Sequence, residues 1–211
     1  MRTRVKICGI TRPQDAEAAA AAGADAIGLV FHPASPRGVD VETASVIARS
    51  VVPFVSLVGL FVDASSAWIM RVLGNVPLDM LQFHGSESPA ACARYGRRYL
   101  KAVRMAPDVD LRQSAERYPV AAGLLVDAYR RGVPGGTGEV FDWGRVPAGL
   151  PLPVVLAGGL TVGNVATAIR QVRPVAVDVS SGVEVSPGVK DPAAIRDFIQ
   201  EVRSVDDAGG R

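Results

Sequence analysis

Eight short apolar runs recur along the chain, separated by amphipathic stretches of about 8 to 14 residues. This alternation is typical of parallel strands joined by helical crossovers. The predicted strands cover residues 4–8, 26–31, 54–62, 78–84, 99–104, 123–127, 153–157 and 175–180. The predicted helices cover residues 13–22, 41–50, 65–73, 89–95, 108–118, 162–171 and 192–202. Eight such units predict a single-domain α/β protein, a (β/α)8 TIM barrel, although a doubly wound open sheet has the same alternation.

Composition and charge limit the classes of partner. The 211 residues are 48% hydrophobic and carry a net charge of +2, which gives no nucleic-acid signal. The longest apolar stretch, 51–62, is interrupted by proline, serine and glycine and is too short to span a membrane. Cys8 and Cys92 lie far apart without metal-ligand spacing. We therefore expect a cytoplasmic protein with reduced thiols, no metal, and no membrane or nucleic-acid partner.

No linker divides the chain, so residues 1–204 are predicted to form one catalytic barrel. Residues 205–211 include two aspartates and two glycines, and we expect them to form a flexible tail.

A thiol and a carboxylate end two of the predicted strands. Cys8 closes the first strand before Gly9, and Asp127 closes the sixth. The carboxyl ends of barrel strands carry the active sites of such folds, so this pair is a candidate base and acid for proton transfer. Taken singly, Cys8 also fits a small buried apolar side chain, and Asp127 fits a turn cap.

Glycine-rich turns follow the last two strands. Gly158 and Gly159 come after strand seven, and Ser181 and Gly182 come after strand eight. Backbone N–H groups in such turns can bind a phosphate, and phosphate sites of these barrels often use these two loops. A single Gly-Gly pair is also a common structural turn, so the prediction depends on both loops together.

Two further loops are candidates for substrate contact. Arg37 lies in a proline-rich loop after strand two, where its guanidinium could hold a carboxylate, although a solvated arginine is the ordinary alternative. Residues 130–138 are rich in glycine and are predicted to form a mobile cover over the site, although a disordered surface loop is the ordinary alternative. Phe141 and Trp143 are expected to anchor the far end of this segment to the core.

Eight motifs, in order along the chain, resemble those of the phosphoribosylanthranilate isomerase family of tryptophan biosynthesis. They are VKICGIT at 5–11, SPRGV at 35–39, LQFHG at 81–85, LLVDA at 124–128, GGTGEVFDW at 135–143, LAGGL at 156–160, DVSSGVE at 178–184 and PGVKD at 187–191. The family fold is the (β/α)8 barrel, in agreement with the strand count.

The resemblance implies a cofactor-free Amadori rearrangement of N-(5-phosphoribosyl)anthranilate to 1-(2-carboxyphenylamino)-1-deoxyribulose 5-phosphate. It implies that Asp127 is the general acid that opens the sugar ring and that Cys8 is the general base at C2. It also implies that Arg37 binds the anthranilate carboxylate. By the same resemblance, the phosphate is held by the turns at 158–159 and 181–182.

His84 and Asp178 also match family positions, either as substrate contacts or as support for neighbouring groups. Lys6 lies two residues before Cys8, so strand alternation places both side chains on one face. Its ammonium then favours the thiolate or forms a structural ion pair inside the barrel.

Two other functions stay open at this point. The first is a related histidine-pathway or dual-substrate aminoaldose isomerase, which has similar chemistry. Enzymes of that family are expected to use two aspartates as the acid–base pair, whereas this chain has Cys8 in the first-strand position. A non-catalytic barrel that binds a phosphorylated ligand is the second alternative. A thiol-redox role is disfavoured because Cys8 has no neighbouring cysteine. A monomer or a homodimer is expected.

Overall fold

The eight predicted strands form a closed parallel barrel in the computed structural model, which describes residues 2–128 and 141–208. The strands are β1 Arg4–Cys8, β2 Ala26–Val30, β3 Ser56–Phe61, β4 Met80–Phe83, β5 Arg98–Arg104, β6 Gly123–Asp127, β7 Val154–Leu156 and β8 Ala176–Val179. β1 pairs with both β2 and β8, and Lys6 lies opposite Asp178 in the closing register. This closure confirms the single-domain barrel and excludes the open sheet.

Strand alternation divides the core into two layers. On β6, Leu125 and Asp127 face the inside of the barrel, while Leu124 and Val126 pack outwards. The largest apolar cluster lies between the barrel wall and the helices and includes Ile7 of β1. Cys8, the next residue, therefore faces the interior, where the candidate chemistry is expected.

Seven helices pack around the barrel in the described residues. They are α1 Pro13–Ala22, α2 Val41–Ser50, α3 Ser66–Leu73, α4 Pro89–Ala93, α5 Leu111–Arg117, α6 Val165–Val172 and α7 Pro192–Ala208. Short polar caps fix several starts, as where the Asp40 carboxylate accepts a hydrogen bond from the Thr43 N–H at 2.7 Å. Among these helices, none is long and apolar enough to cross a membrane.

Several predicted boundaries differ from the observed ones by two or three residues, and two of them have clear local reasons. Phe54 was expected to begin β3, but it is fully exposed with a φ of 73°, which no strand residue adopts. α6 was expected from residue 162. It begins at Val165 because the Asn164 carboxamide accepts from the Thr161 N–H at 2.8 Å and closes a turn ahead of the helix.

The flexible tail predicted at 205–211 is wrong for residues 205–208. α7 continues to Ala208, and Val205 is buried. The Asp206 carboxylate accepts hydrogen bonds from the Thr3 N–H at 2.6 Å and the Thr3 hydroxyl at 2.9 Å. This contact joins the last helix to the start of β1, and residues 209–211 lie outside the described part of the chain.

A small hairpin after β8 was not predicted. β9 Glu184–Ser186 and β10 Val189–Lys190 pair antiparallel, and Gly188 turns between them with a φ of 82°. The hairpin returns Lys190 to the barrel mouth.

The glycine-rich segment predicted as a mobile cover, 130–138, lies outside the described residues. Its expected anchors are both in place. Phe141 and Trp143 are partly buried against the main core, with Trp143 beginning a 3₁₀ turn.

Candidate active site

A cavity of about 420 Å³ opens at the end of the barrel where the strands finish. This volume is in the range of small-molecule sites. Eight of the nine predicted site residues line it: Cys8, Arg37, His84, Asp127, Gly158, Gly159, Asp178 and Ser181. The carboxyl ends of six different strands thus contribute to one pocket, as the barrel fold requires of an active site.

Gly182 is the exception among the predicted site residues, because it packs behind the cavity wall. A Cβ on this glycine would collide with the carbonyl group of Leu160 and lie 3.2 Å from the Val179 side chain. The absence of a side chain at Gly182 therefore lets the loop after β8 pack directly against the loop after β7.

Cys8 is buried on the cavity floor beside two charged groups. The Lys6 Nζ atom lies 2.8 Å from the Asp178 Oδ1 atom, and both side chains are almost fully buried. A Cβ on Gly28 would lie 2.8 Å from the Cys8 Sγ atom and 3.1 Å from the Lys6 Cε atom. Lys6 therefore forms the structural ion pair with Asp178 and also lies beside the thiol.

Burial raises the pKa of the Cys8 thiol above its ordinary value, although the ammonium groups of Lys6 and Lys190 act in the opposite direction. The negative charge of Asp178 adds to the rise. Burial alone would lower the pKa of Lys6, but Asp178 reverses this effect and the pKa is raised. At neutral pH the site therefore holds a charged Lys6–Asp178 pair next to a mostly protonated thiol.

Asp127 is held by two hydrogen bonds at the end of β6. Its Oδ1 atom accepts from the Ala128 N–H at 2.9 Å, and its Oδ2 atom lies 3.1 Å from His84 Nε2. On the other side of the imidazole, the Gln82 amide nitrogen lies 3.2 Å from Nδ1. Because an amide nitrogen can only donate, Nδ1 accepts, and Nε2 carries the proton donated to Asp127. The series of hydrogen bonds from Gln82 through His84 fixes the orientation of the Asp127 carboxylate.

Arg37 lies on one side of the cavity and is bound to a carboxylate of the same chain. Its Nε and Nη2 atoms contact the two carboxylate oxygens of Glu184 at 2.9 and 2.7 Å. Lys190 contacts the same carboxylate at 2.7 Å. The ion pair with Glu184 thus holds the Arg37 guanidinium in a defined position, in contrast to the solvated alternative.

The glycine turns lie across the cavity mouth. Gly158 and Gly159 have φ values of 81° and 67°, a conformation that side chains disfavour, so this turn requires glycine. Ser181 begins a 3₁₀ turn, whose first N–H groups have no acceptor within the turn. Gly158, Gly159 and Ser181 all line the cavity, so both loops border the same space.

Three functional neighbours were not singled out from sequence: Gln82, Glu184 and Lys190. Gln82 lies two residues before His84 on one strand face, a signal that alternation provides. The contacts of Glu184 and Lys190 depend on the unpredicted hairpin, so no local pattern identified them.

The arrangement combines three chemical capacities in one pocket. Cys8 and Asp127 can exchange protons with a ligand, Arg37 can bind an anionic group, and the glycine turns can bind a second anion. A ligand with a negative group at each end would therefore place its middle at Cys8 and Asp127.

Comparison with protein families gives an independent result. A family model described as N-(5'phosphoribosyl)anthranilate (PRA) isomerase matches residues 5–201. An N-(5'-phosphoribosyl)anthranilate isomerase of Nitrosococcus oceani is 58% identical over 205 residues, covering 97% of this chain and 100% of the relative. The protein of that name from Pseudomonas aeruginosa strain UCBPP-PA14 is 59% identical over 201 residues, covering 95% of each chain.

Solved structures show the same fold. The phosphoribosyl anthranilate isomerase of Thermotoga maritima superimposes with a TM-score of 0.88 at 38% identity, covering 96% of this chain and 99% of that one. A phosphoribosyl anthranilate isomerase in complex with reduced 1-(o-carboxyphenylamino)-1-deoxyribulose 5-phosphate gives a TM-score of 0.85 at 37% identity, with coverage of 96% and 99%. The ligand of that second protein carries a carboxylate and a phosphate at its two ends.

Proposed function

The chain belongs to the N-(5'-phosphoribosyl)anthranilate isomerase family of tryptophan biosynthesis, and we propose that Cys8 and Asp127 perform its chemistry as base and acid. The reaction converts an aminoaldose into an aminoketose by an Amadori rearrangement. The observation that carries the proposal is the position of both groups in one cavity, between an arginine and two glycine turns.

Binding orients the substrate through its two anionic ends. Arg37 binds the anthranilate carboxylate, and the N–H groups of the turns at Gly158–Gly159 and Ser181–Gly182 bind the phosphate. The ribose then lies over Cys8 and Asp127. Holding both ends lowers the entropic cost of reaching a reactive geometry.

Asp127 acts first, as a general acid. It transfers a proton to the ring oxygen of the furanose, and the bond between that oxygen and C1 breaks. The nitrogen lone pair then forms the C=N bond of a protonated Schiff base. The hydrogen bonds from Ala128 and His84 aim the carboxyl group at the ring oxygen.

Cys8 acts second, as a general base. Its thiolate removes the proton from C2, the electron pair forms a C1=C2 double bond, and the C=N electrons return to nitrogen. The resulting enolamine tautomerises to the ketone by losing its hydroxyl proton and gaining a proton at C1. His84 and Asp178 act through neighbouring groups: His84 orients Asp127, and Asp178 balances the charge of Lys6 beside the thiol.

The test is turnover of freshly generated N-(5-phosphoribosyl)anthranilate, followed by the loss of its anthranilate fluorescence, without added metal or nucleotide. Cys8→Ser and Asp127→Asn should each lower kcat by at least about 10²-fold, because each removes one positioned proton-transfer group. Both variants should still bind the reduced aminoketose product.

Matched controls separate chemistry from folding. Cys92 is a buried thiol in α4, and Asp197 is an exposed carboxylate on α7. Cys92→Ser and Asp197→Asn should keep kcat within about twofold of the parent. Near-normal turnover in Cys8→Ser or Asp127→Asn would remove that residue from the mechanism.

The same assay addresses the two alternatives. A histidine-pathway aminoaldose, supplied in place of the anthranilate substrate, tests the range of substrates. A folded protein that binds the product analogue but converts neither compound would be a phosphate-ligand binding barrel.

We also propose that the enzyme works in the cytoplasm, where its two free cysteines stay reduced. It is expected to be a monomer or a homodimer. Sedimentation at micromolar concentration distinguishes these states.

A further inference from the structure

The Glu184 carboxylate is bound to Arg37, the arginine on the cavity wall. The carboxylate contacts the Nε and Nη2 atoms of Arg37 as a parallel pair of hydrogen bonds. These bonds use two of the five N–H donors of the guanidinium. Among the described residues, none accepts a hydrogen bond from the Nη1 end or from the second donor of Nη2, and together these donors form a second edge that matches a carboxylate.

A second cation, Lys190, also binds the Glu184 carboxylate. The Lys190 Nζ atom contacts Glu184 Oε1 at 2.7 Å and the Ser180 carbonyl oxygen at 3.1 Å. The Lys190 side chain is fully buried, and Glu184 and Arg37 are only 4% and 13% exposed. Two cations and one carboxylate leave this nearly buried cluster with one excess positive charge, which favours binding of one more anion.

The charged state of Glu184 is secured by its partners. Burial alone would raise the pKa of Glu184, but the hydrogen bonds from Arg37 and Lys190 lower it below its ordinary value. The carboxylate is therefore ionised at neutral pH and holds the guanidinium through charge-assisted bonds.

The stem of Arg37 is fixed beside the reactive thiol. A Cβ on Gly9 would lie 2.5 Å from the Arg37 Cδ atom and 3.3 Å from its Cβ atom, so the arginine packs directly on the turn that follows Cys8. Gly9 has a φ of 73°, which also favours glycine. The distance between the guanidinium and the Cys8 turn is thus set by backbone contact at one end and by Glu184 at the other.

We propose that Glu184 is a positioning residue that holds one edge of Arg37 so that the other edge recognises the substrate carboxylate. This inference rests on the proposed role of Arg37. In this arrangement, Lys190 compensates the charge of Glu184, which leaves the charge of Arg37 for the ligand. Glu184 therefore contributes to recognition of the anthranilate end of the substrate and does not contribute to binding of its phosphate.

The experiment compares two ligands in direct binding titrations. One is the reduced aminoketose product, and the other is the same compound with phenyl in place of carboxyphenyl. The ratio of their Kd values measures recognition of the carboxylate, while inorganic phosphate measures the opposite end of the site. The proteins are the wild type, Glu184→Gln, Arg37→Ala and the double variant, with Glu116→Gln on the exposed face of α5 as control.

Glu184→Gln should reduce the preference for the carboxylated ligand by about tenfold, since a charge-assisted bond is lost from the arginine. Its Kd values for the phenyl compound and for phosphate should stay within about twofold. Adding Glu184→Gln to Arg37→Ala should change the preference no further, because the two residues act through one contact. In turnover, KM should rise more than kcat falls.

Three results would overturn the inference. Equal weakening of both ligands would mean that Glu184 has only a general structural role. A stronger preference for the carboxylated ligand would mean that Glu184 competes with the substrate for Arg37. Retention of the preference in Arg37→Ala would instead refute the proposed role of Arg37 itself, and the inference with it. If Glu184→Gln does not fold, Glu184→Asp keeps the charge, shortens the reach and is judged by the same ratio.

Discussion

Replacement of Lys6 by methionine removes the cation of the buried pair inside the barrel. Lys6 and Asp178 lie on neighbouring strands at the closure of the sheet, with 2.8 Å between Nζ and Oδ1. Their side chains are 5% and 8% exposed, so little water is available to replace the lost partner of Asp178. The Lys6→Met variant therefore leaves an uncompensated negative charge next to Cys8.

The expected loss of stability follows from this burial. Removing one partner of a buried pair costs about 3–5 kcal/mol. For a domain of this size, about 2–4 °C of Tm is lost for each kcal/mol, which gives a drop of about 6–20 °C. Lys6→Met/Asp178→Asn also removes the negative charge, so it should recover at least about 1 kcal/mol relative to the single variant.

The pH dependence of this effect has a definite sign. Because the pKa of Lys6 is raised in the folded state, the contribution of Lys6 to the free energy of unfolding is complete below its unfolded-state pKa of about 10.4. This contribution is lost as the pH rises above that value towards the folded-state pKa. The difference between the wild type and Lys6→Met should therefore stay constant from pH 7 to 9.

Urea unfolding followed by circular dichroism at pH 7, 8 and 9 measures these differences. Arg2→Met is the control, because Arg2 also pairs with an aspartate but is 60% exposed, and a surface pair contributes about 0–1 kcal/mol. A loss below about 1 kcal/mol in Lys6→Met would refute the reasoning. So would a double variant no more stable than the single one.

Three further results are expected at the site. Gly158→Ala should lower kcat/KM by at least tenfold in steady-state turnover. The added Cβ would lie 2.9 Å from Asp127 Oδ1, and the φ of 81° at this position disfavours a side chain. An unchanged kcat/KM would contradict this tight packing. The kcat/KM value should rise between pH 7 and 9, since burial raises the pKa of Cys8 and the thiol is therefore mostly protonated at pH 7; a flat profile would argue against Cys8 as the base. Gln82→Leu should lower kcat by about 2- to 10-fold with an unchanged product Kd, because the 3.2 Å contact to His84 is lost; a change in Kd alone would place Gln82 in binding.

The sequence by itself determined the barrel and most of the residues that line its cavity. Local rules suffice for these features: alternation places Cys8 and Asp127 inwards, and parallel strands bring their carboxyl ends to one face. The same rule predicted the glycine turns at the cavity, and the family motifs extended the prediction to His84 and Asp178.

Only the tertiary structure decided how the charges are paired. Arg37 and Glu184 are 147 positions apart in the chain, and Lys6 and Asp178 are 172 apart. Such contacts depend on closure of the barrel and on the hairpin at β9 and β10, and no local pattern specifies them. The pKa of Cys8 likewise depends on burial, which outweighs the neighbouring ammonium groups. Sequence spacing identifies which groups face the cavity, but desolvation and long-range pairing, set by the folded chain, determine their charge and orientation.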